Sequence, residues 1–268
     1  MQWQTDKSVF VEVAGVRLEG RCIGPSPSQA DTIILLHEGL GSVELWRDFP
    51  EKLAAQSGLG VFVFARQGYG ASDAVVLPRP LTYMSEEADR VLPALLEKIG
   101  FRSGYLLGHS DGASIAAIYA GAAQDTRLKA VILMAPHFFA EPESIAAIEQ
   151  ARIGFDQGDL RARLAKYHKD VDGAFNGWCD AWLDPAFMNW NIEAFIKIID
   201  VPVMMVQGLD DQYGTLKQVD ALKSNLSSRL QRALHVELLE ACGHSPHLEQ
   251  PERTLSSICR FIAINSEL

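Results

Sequence analysis

A mostly parallel β-sheet with helices on both faces is the fold this sequence predicts, and three observations predict it. Short apolar runs of strand length alternate with stretches of helical periodicity along most of the chain. Several of those runs, such as Thr32–Leu36, are almost wholly apolar, as strands buried on both faces tend to be. The run Tyr105-Leu106-Leu107 passes directly into Gly108-His109-Ser110-Asp111-Gly112 and then into a small-residue helix, Ala113 to Ala122. The 268 residues, 48% hydrophobic and 22% charged, suit one large α/β domain with an insertion better than two equal domains.

In chain order, Val9–Val13 and Val16–Ile23 flank Ala14-Gly15 and predict a starting hairpin. Pro25-Ser26-Pro27-Ser28 is a loop, and Thr32–Leu36 is the next strand. Leu45–Ser57 has helical spacing through Leu45, Phe49 and Leu53. Val61–Phe64 is a strand, and Ser85–Ile99 is a helix that Pro93 is expected to kink. The Tyr105 strand and its helix follow, then strand Ala130–Met134. The alternation stops over residues 137–200, where helical patterns and aromatic residues replace strand signals. It resumes with strand Val201–Gln207, helix Leu216–Leu226, strand Leu234–Glu240 and a last helix from Pro246 to Ile264. The division expected is a core of residues 1–136 and 201–268 and a helical cap of residues 137–200. Apolar side chains over a cleft exclude water and shape an apolar pocket.

The formal net charge is −10, and no basic cluster occurs, which argues against nucleic-acid and anionic-membrane partners. The N-terminal stretch lacks the basic-then-apolar order of a signal peptide, and no apolar run approaches the ~20 residues of a membrane helix. Cys22, Cys179, Cys242 and Cys259 have no metal-ligand spacing and read as reduced thiols. A cytoplasmic protein without a metal or cofactor is the expectation.

The chemistry centres on G-x-S-x-G. A serine hydroxyl becomes a useful nucleophile when a base takes its proton and a carboxylate orients that base. In a strand–elbow–helix setting those partners follow the serine as acid and then histidine, each just past a strand. Gly208-Leu209-Asp210-Asp211 follows strand Val201–Gln207, and Ala241-Cys242-Gly243-His244 follows strand Leu234–Glu240. Asp210 and Asp211 are adjacent, so one of them can face the histidine, and motif position favours Asp211. His244, at a glycine turn, is favoured over His247, which falls in the first turn of a helix. The oxyanion formed on attack needs two N–H donors. One is Asp111. The other comes from His37-Glu38-Gly39-Leu40-Gly41-Ser42, where Gly39 is favoured and Leu40 is the alternative. His37 and His109 are expected to brace loops, and Arg66 to sit in a tight loop and pair with a carboxylate.

Together these residues resemble the α/β-hydrolase superfamily over nearly the whole chain. The matching places are the His37 loop, Arg66-Gln67-Gly68-Tyr69-Gly70-Ala71-Ser72, the Gly108–Gly112 elbow, Gly208-Leu209-Asp210-Asp211 and Gly243-His244-Ser245-Pro246-His247-Leu248-Glu249. The resemblance implies an eight-stranded, mostly parallel sheet, a cap after the sixth strand, and Ser110, Asp211 and His244 as the triad. Two places depart from it. Glu38 stands where the loop usually has glycine after histidine, and Gln67 where it usually has glycine after arginine. An aspartate nucleophile, as in haloalkane dehalogenases and epoxide hydrolases, is replaced here by Ser110.

The expected function is hydrolysis of a small, partly apolar ester or thioester through an acyl-enzyme. Glu38, Leu40, His137, Trp178, Trp182 and Trp190 are the expected pocket residues. Two rivals stand beside it: a carbon–carbon bond hydrolase of a ring-cleavage diketone, which would seat its substrate on an arginine such as Arg47, Arg152 or Arg161, and a ligand-binding or sensory protein on the same fold.

Overall fold

The computed structural model describes residues 1–5 and 7–266. Strands β1 (Ser8–Val13) and β2 (Val16–Ile23) form the expected hairpin. The remaining strands are β3 (Thr32–Leu36), β4 (Gly60–Phe64), β5 (Gly104–His109), β6 (Leu128–Met134), β7 (Val203–Gly208) and β8 (His235–Leu239). They make one sheet in the order β1-β2-β4-β3-β5-β6-β7-β8. The hairpin joins β4 antiparallel, and β4 through β8 run parallel. From β3 the chain goes to one side as β4 and then to the other as β5. The order reverses between β3 and β5, and the crevice past their carboxyl ends is where open α/β sheets bind ligands. Residues 37–40 and Ser110 lie at those two ends.

Alternation along β3 divides the core into two layers. Ile33 and Leu35 pack on one face with Phe49, Leu53, Ile258 and Phe261. Ile34 and Leu36 pack on the other with Leu95, Ile115 and Ile118. The flanking helices are α1 (Phe49–Ser57), α2 (Tyr83–Glu86), α3 (Leu92–Ile99) and α4 (Asp111–Ala122). Between β6 and β7 come α5 (Pro142–Gln157), α6 (Leu160–Leu164), α7 (Val171–Leu183) and α8 (Glu193–Ile196). The chain ends with α9 (Leu216–Asn225), α10 (Ser228–Gln231), α11 (Pro246–Glu249) and α12 (Pro251–Ile264).

Three helices depart from the sequence pattern, each at a proline or a strained residue. Residues 45–57 are not one helix: a 3-10 turn, Glu44–Trp46, ends at Arg47 with φ 56°, and α1 starts afresh with Pro50 in its first turn. Pro93 does not simply kink residues 85–99. A π-helical turn, Glu87–Val91, separates α2 from α3 and sets Pro93 in the first turn of α3, where no N–H is needed. The final helix is split because Gln250, ahead of Pro251, adopts φ −135° and ψ 61°. Strand boundaries shift by up to two residues, as frayed ends do.

Candidate active site

Ser110 sits between β5 and α4 with φ 53° and ψ −120°, a conformation side chains other than glycine's avoid. Two close approaches hold it there. A Cβ on Gly108 would lie 2.2 Å from Gly112 O, and one on Gly112 would lie 2.1 Å from Leu36 O. Only glycines let α4 come this near β3 and β5. Ser110 N–H donates to Met134 O (2.9 Å), and Ser110 O accepts from Ala113 and Ser114 N–H (2.8 and 3.0 Å). The hydroxyl thus rests at the amino end of α4, where Asp111, first residue of the helix, has no intrahelical acceptor for its N–H.

His244 reaches Ser110 from β8. Ser110 Oγ lies 2.9 Å from His244 Nε2, and His244 Nδ1 lies 2.9 Å from each Asp211 oxygen. The β7 and β8 ends meet at another bare glycine: a Cβ on Gly208 would lie 2.2 Å from Gly243 O. Asp211 Oδ1 accepts from the N–H groups of Tyr213 (2.8 Å) and Gly214 (3.2 Å), and Oδ2 from Gln207 Nε2 (2.8 Å). Burial pushes this carboxyl up, but the contacts with His244 and the backbone outweigh it and hold the group at about 2. Asp210 is exposed and directs its N–H to Cys242 O. Glu249 braces the histidine loop through Gly243 N–H (2.6 Å) and Ser245 N–H (2.9 Å). His247 lies away from Ser110, with its ring 4.9 Å from Trp46 and 5.6 Å from Phe49.

The His37 loop is tied down from below. Arg66 N–H donates to His37 Nε2 (3.0 Å), so the ring proton is on Nδ1, which donates to Glu38 O (2.7 Å). The Arg66 guanidinium donates to His37 O and Glu38 O (3.0 Å each) and lies 3.9 Å from Asp111 Oδ2. That oxygen also accepts from Tyr83 Oη (2.5 Å), whose own acceptor capacity takes Trp182 Nε1–H (3.1 Å). Asp111 therefore turns its side chain into the core and leaves its N–H beside Ser110. The N–H groups of Gly39 and Leu40 have no acceptor among the described residues. Gly39 is hemmed in by Trp178, whose Nε1 would lie 2.1 Å from a Cβ there.

A cavity of about 130 Å³ opens over Ser110. Glu38, Gly39, Leu40, His137, Trp178 and Trp182 line it together with Ser110 and His244. Trp190, expected in the wall, lies one layer out, stacked 5.3 Å from Phe187. The sequence reading missed Ser144 and Ile148 of α5, which reach the wall one helical turn apart, and Tyr213, whose ring lies 4.8 Å from His244. Gln207 was missed too; its signal was a polar residue inside an apolar strand. Burial drives the His137 imidazole down to about 3, so it is neutral. The three arginines considered earlier point elsewhere: Arg47 onto Tyr167, Arg152 to Asn176 and Asp180, Arg161 to Asp172. Among the described residues no group of three or more His, Cys, Asp or Glu side chains has metal-site geometry, and no helix is long and apolar enough to cross a membrane.

Comparison with known proteins agrees with this architecture. Residues 33–256 match the family described as the alpha/beta hydrolase family. A putative esterase/lipase of Mycoplasma genitalium is 24% identical over 63% of this chain and 70% of its own length. Epoxide hydrolase 2 of Siraitia grosvenorii is 27% identical over 53% of this chain, and the match spans 42% of that relative. Among solved structures, a bacterial membrane phospholipase A aligns over 98% of this chain and 87% of its own with TM-score 0.79 and 20% identity. The enol-lactonase of Burkholderia xenovorans aligns over 95% of this chain and 100% of its own with TM-score 0.71 and 18% identity. At these identities the structural likeness speaks for the fold.

Proposed function

The chain belongs to the alpha/beta hydrolase family, and from that premise we propose that it is a serine hydrolase cleaving a small, partly apolar ester or thioester through an acyl-enzyme. The observation that carries this reading is the row Ser110 Oγ–His244 Nε2, His244 Nδ1–Asp211, each contact 2.9 Å. Its distances suit proton transfer.

In the proposed cycle, Ser110 Oγ attacks the substrate carbonyl carbon while His244 Nε2 takes the hydroxyl proton. Asp211, ionised and fixed by three donors, holds the imidazole and offsets the charge it gains. The carbonyl π pair moves onto oxygen, which the N–H groups of Asp111 and Gly39 receive. As the carbonyl reforms, the bond to the leaving group breaks, and His244 gives that group its proton. Water, deprotonated by His244, then repeats the sequence on the acyl-enzyme and frees the acid and Ser110. In this reading α5 to α8 act as a cap that excludes water from the reacting carbon.

The cavity bounds the substrate. Its 130 Å³ is close to the ~150 Å³ that holds a benzene molecule in an apolar protein cavity. Acyl groups of about six or seven heavy atoms or fewer fit this reading. The carbon–carbon hydrolase reading loses support because, among the described residues, no Arg or Lys lines the cavity to seat a carboxylated diketone. The epoxide hydrolase relatives do not change the nucleophile, which is Ser110 here.

The test is turnover of 4-nitrophenyl esters from acetate to octanoate by the native protein and Ser110→Ala. Short esters should turn over best, and the substitution should lower kcat by roughly 10⁴- to 10⁶-fold. A fluorophosphonate should label Ser110 in the native chain alone. Near-native ester hydrolysis by Ser110→Ala would end the reading. Labelling without turnover of any acyl compound would favour the sensory alternative.

A further inference from the structure

One carboxylate in the cavity wall has no part in that chemistry. Glu38 leaves the end of β3 where the resembled loop carries glycine. Its side chain is 27% exposed and lines the cavity over Ser110. Neither carboxylate oxygen accepts a hydrogen bond among the described residues. The nearest side-chain nitrogen is His109 Nδ1, 3.4 Å from Oε2.

The orientation of the His109 ring follows from geometry. His109 Nε2 lies 2.7 Å from His244 O. A carbonyl only accepts, so that nitrogen carries a proton. Nδ1 faces Oε2 at 3.4 Å from the core side of the carboxylate. His109 is 1% exposed, and Glu38 is the end of the pair that reaches the cavity. Burial pushes the Glu38 carboxyl up, but its contact with His109 outweighs this and holds it well below its usual value. Glu38 therefore presents an ionised carboxylate to the cavity, with the buried His109 ring behind it.

The rest of the wall supplies no counterweight. Asp111 turns to Tyr83 and Arg66, His137 is neutral, and among the described residues neither Lys nor Arg lines the cavity. We propose that Glu38 is a specificity-determining residue, admitting neutral and ammonium-bearing esters or thioesters and rejecting carboxylate-bearing ones. The inference rests on the serine-hydrolase reading and names its substrate class. A unit charge about 5 Å from the carboxylate, at an effective dielectric of about 50 for a wall partly open to water, supports roughly 100-fold discrimination between cation and anion.

Two matched series test it by kcat/KM on native protein and Glu38→Gln. The leaving-group series is acetylthiocholine, 3,3-dimethylbutyl thioacetate and S-acetyl-3-mercaptopropionate. The acyl series is 4-nitrophenyl butanoate against mono-4-nitrophenyl succinate. The native protein should disfavour the anion by ten-fold or more in at least one series, and Glu38→Gln should shrink that ratio to within about three-fold. Equal rates across charge in both series with native protein, or a ratio that survives in Glu38→Gln, would overturn the inference. A binding arm separates it from the reaction itself. Tryptophan fluorescence, with Trp178 and Trp182 in the wall, is titrated with tetramethylammonium, tert-butanol and acetate. If no ester is cleaved, the hydrolase reading fails. Glu38 is then judged by whether native protein binds tetramethylammonium over acetate and Glu38→Gln loses that order; no preference overturns it.

Discussion

The strain at Ser110 makes the best-defined single-residue statement. Its φ of 53° and ψ of −120° belong to a region that glycine enters freely and a residue with a Cβ enters at about 1–3 kcal/mol. Position, not comfort, explains the serine: the strained turn lifts Oγ clear of the sheet toward His244. Ser110→Gly should therefore unfold at a higher urea concentration than Ser110→Ala, by about 1 kcal/mol, with both variants inactive. An equal or lower midpoint for Ser110→Gly would show that the surrounding contacts, not the dihedral, set the balance. At this scale the sequence was readable where a residue type has few alternative uses. A serine between two glycines at a strand end, and a histidine after a glycine turn, carry their meaning locally. Gln207, Tyr213 and Ser144 do not. Each joins the site through a fold-level meeting with Asp211 or the cavity; the adjacent sequence marks Gln207 only as a polar residue in an apolar strand and does not mark the other two.

Elements were legible where burial dictates pattern and obscure where backbone chemistry intervenes. The apolar strands β3, β5 and β6 announce themselves because both faces are covered. The breaks at Arg47 and Gln250 and the π-turn at Glu87–Val91 do not, since amphipathic spacing continues across them while the hydrogen-bond ladder stops or, in the π-turn, widens to i→i+5. The junction of β3, β5 and α4 is the element-scale feature on which the site depends. A Cβ on Gly112 would press on Leu36 O at 2.1 Å and His37 O at 2.7 Å, both backbone atoms that cannot swing aside. Gly112→Ala should force α4 off β3, costing several kcal/mol in urea unfolding or the soluble fold itself. Gly154→Ala is the control. It lies within α5 with no atom nearer than 3.8 Å to a Cβ, so it should gain up to about 1 kcal/mol from helix propensity. Equal effects of the two substitutions would refute the packing argument.

On the scale of the whole molecule, the chain order of Ser110, Asp211 and His244 made the core legible, because three strand ends must converge for that order to mean anything. The segment between β6 and β7 was legible only as helical and aromatic. Which aromatic faces the cavity depends on helix–helix contacts, and Trp190 instead packs on Phe187 and Trp182. The buried histidines have a global consequence that neither motif nor periodicity reveals. Burial drives His137 and His247 down to about 3, from an ordinary value of 6.5, and lowers His37 and His168 in the same direction. A folded-state value below the unfolded one means that the unfolded chain binds protons first as pH falls. Stability is then full above about 6.5 and declines toward 3, whereas the contribution of Asp211 is lost only from its ordinary value of 3.8 down to about 2. Between pH 7 and pH 5, His137 and His247 each forfeit about 2 kcal/mol, a large share of a typical folding free energy. His247→Phe isolates the effect. It keeps a flat ring against Trp46 and Phe49 and removes Nδ1, which has no partner among the described residues. Urea unfolding at pH 7 and pH 5 should show the native chain losing stability on acidification and His247→Phe losing about 2 kcal/mol less. If the two chains lose the same amount, His247 is protonated at little cost in the folded state, and the acid response belongs to other groups.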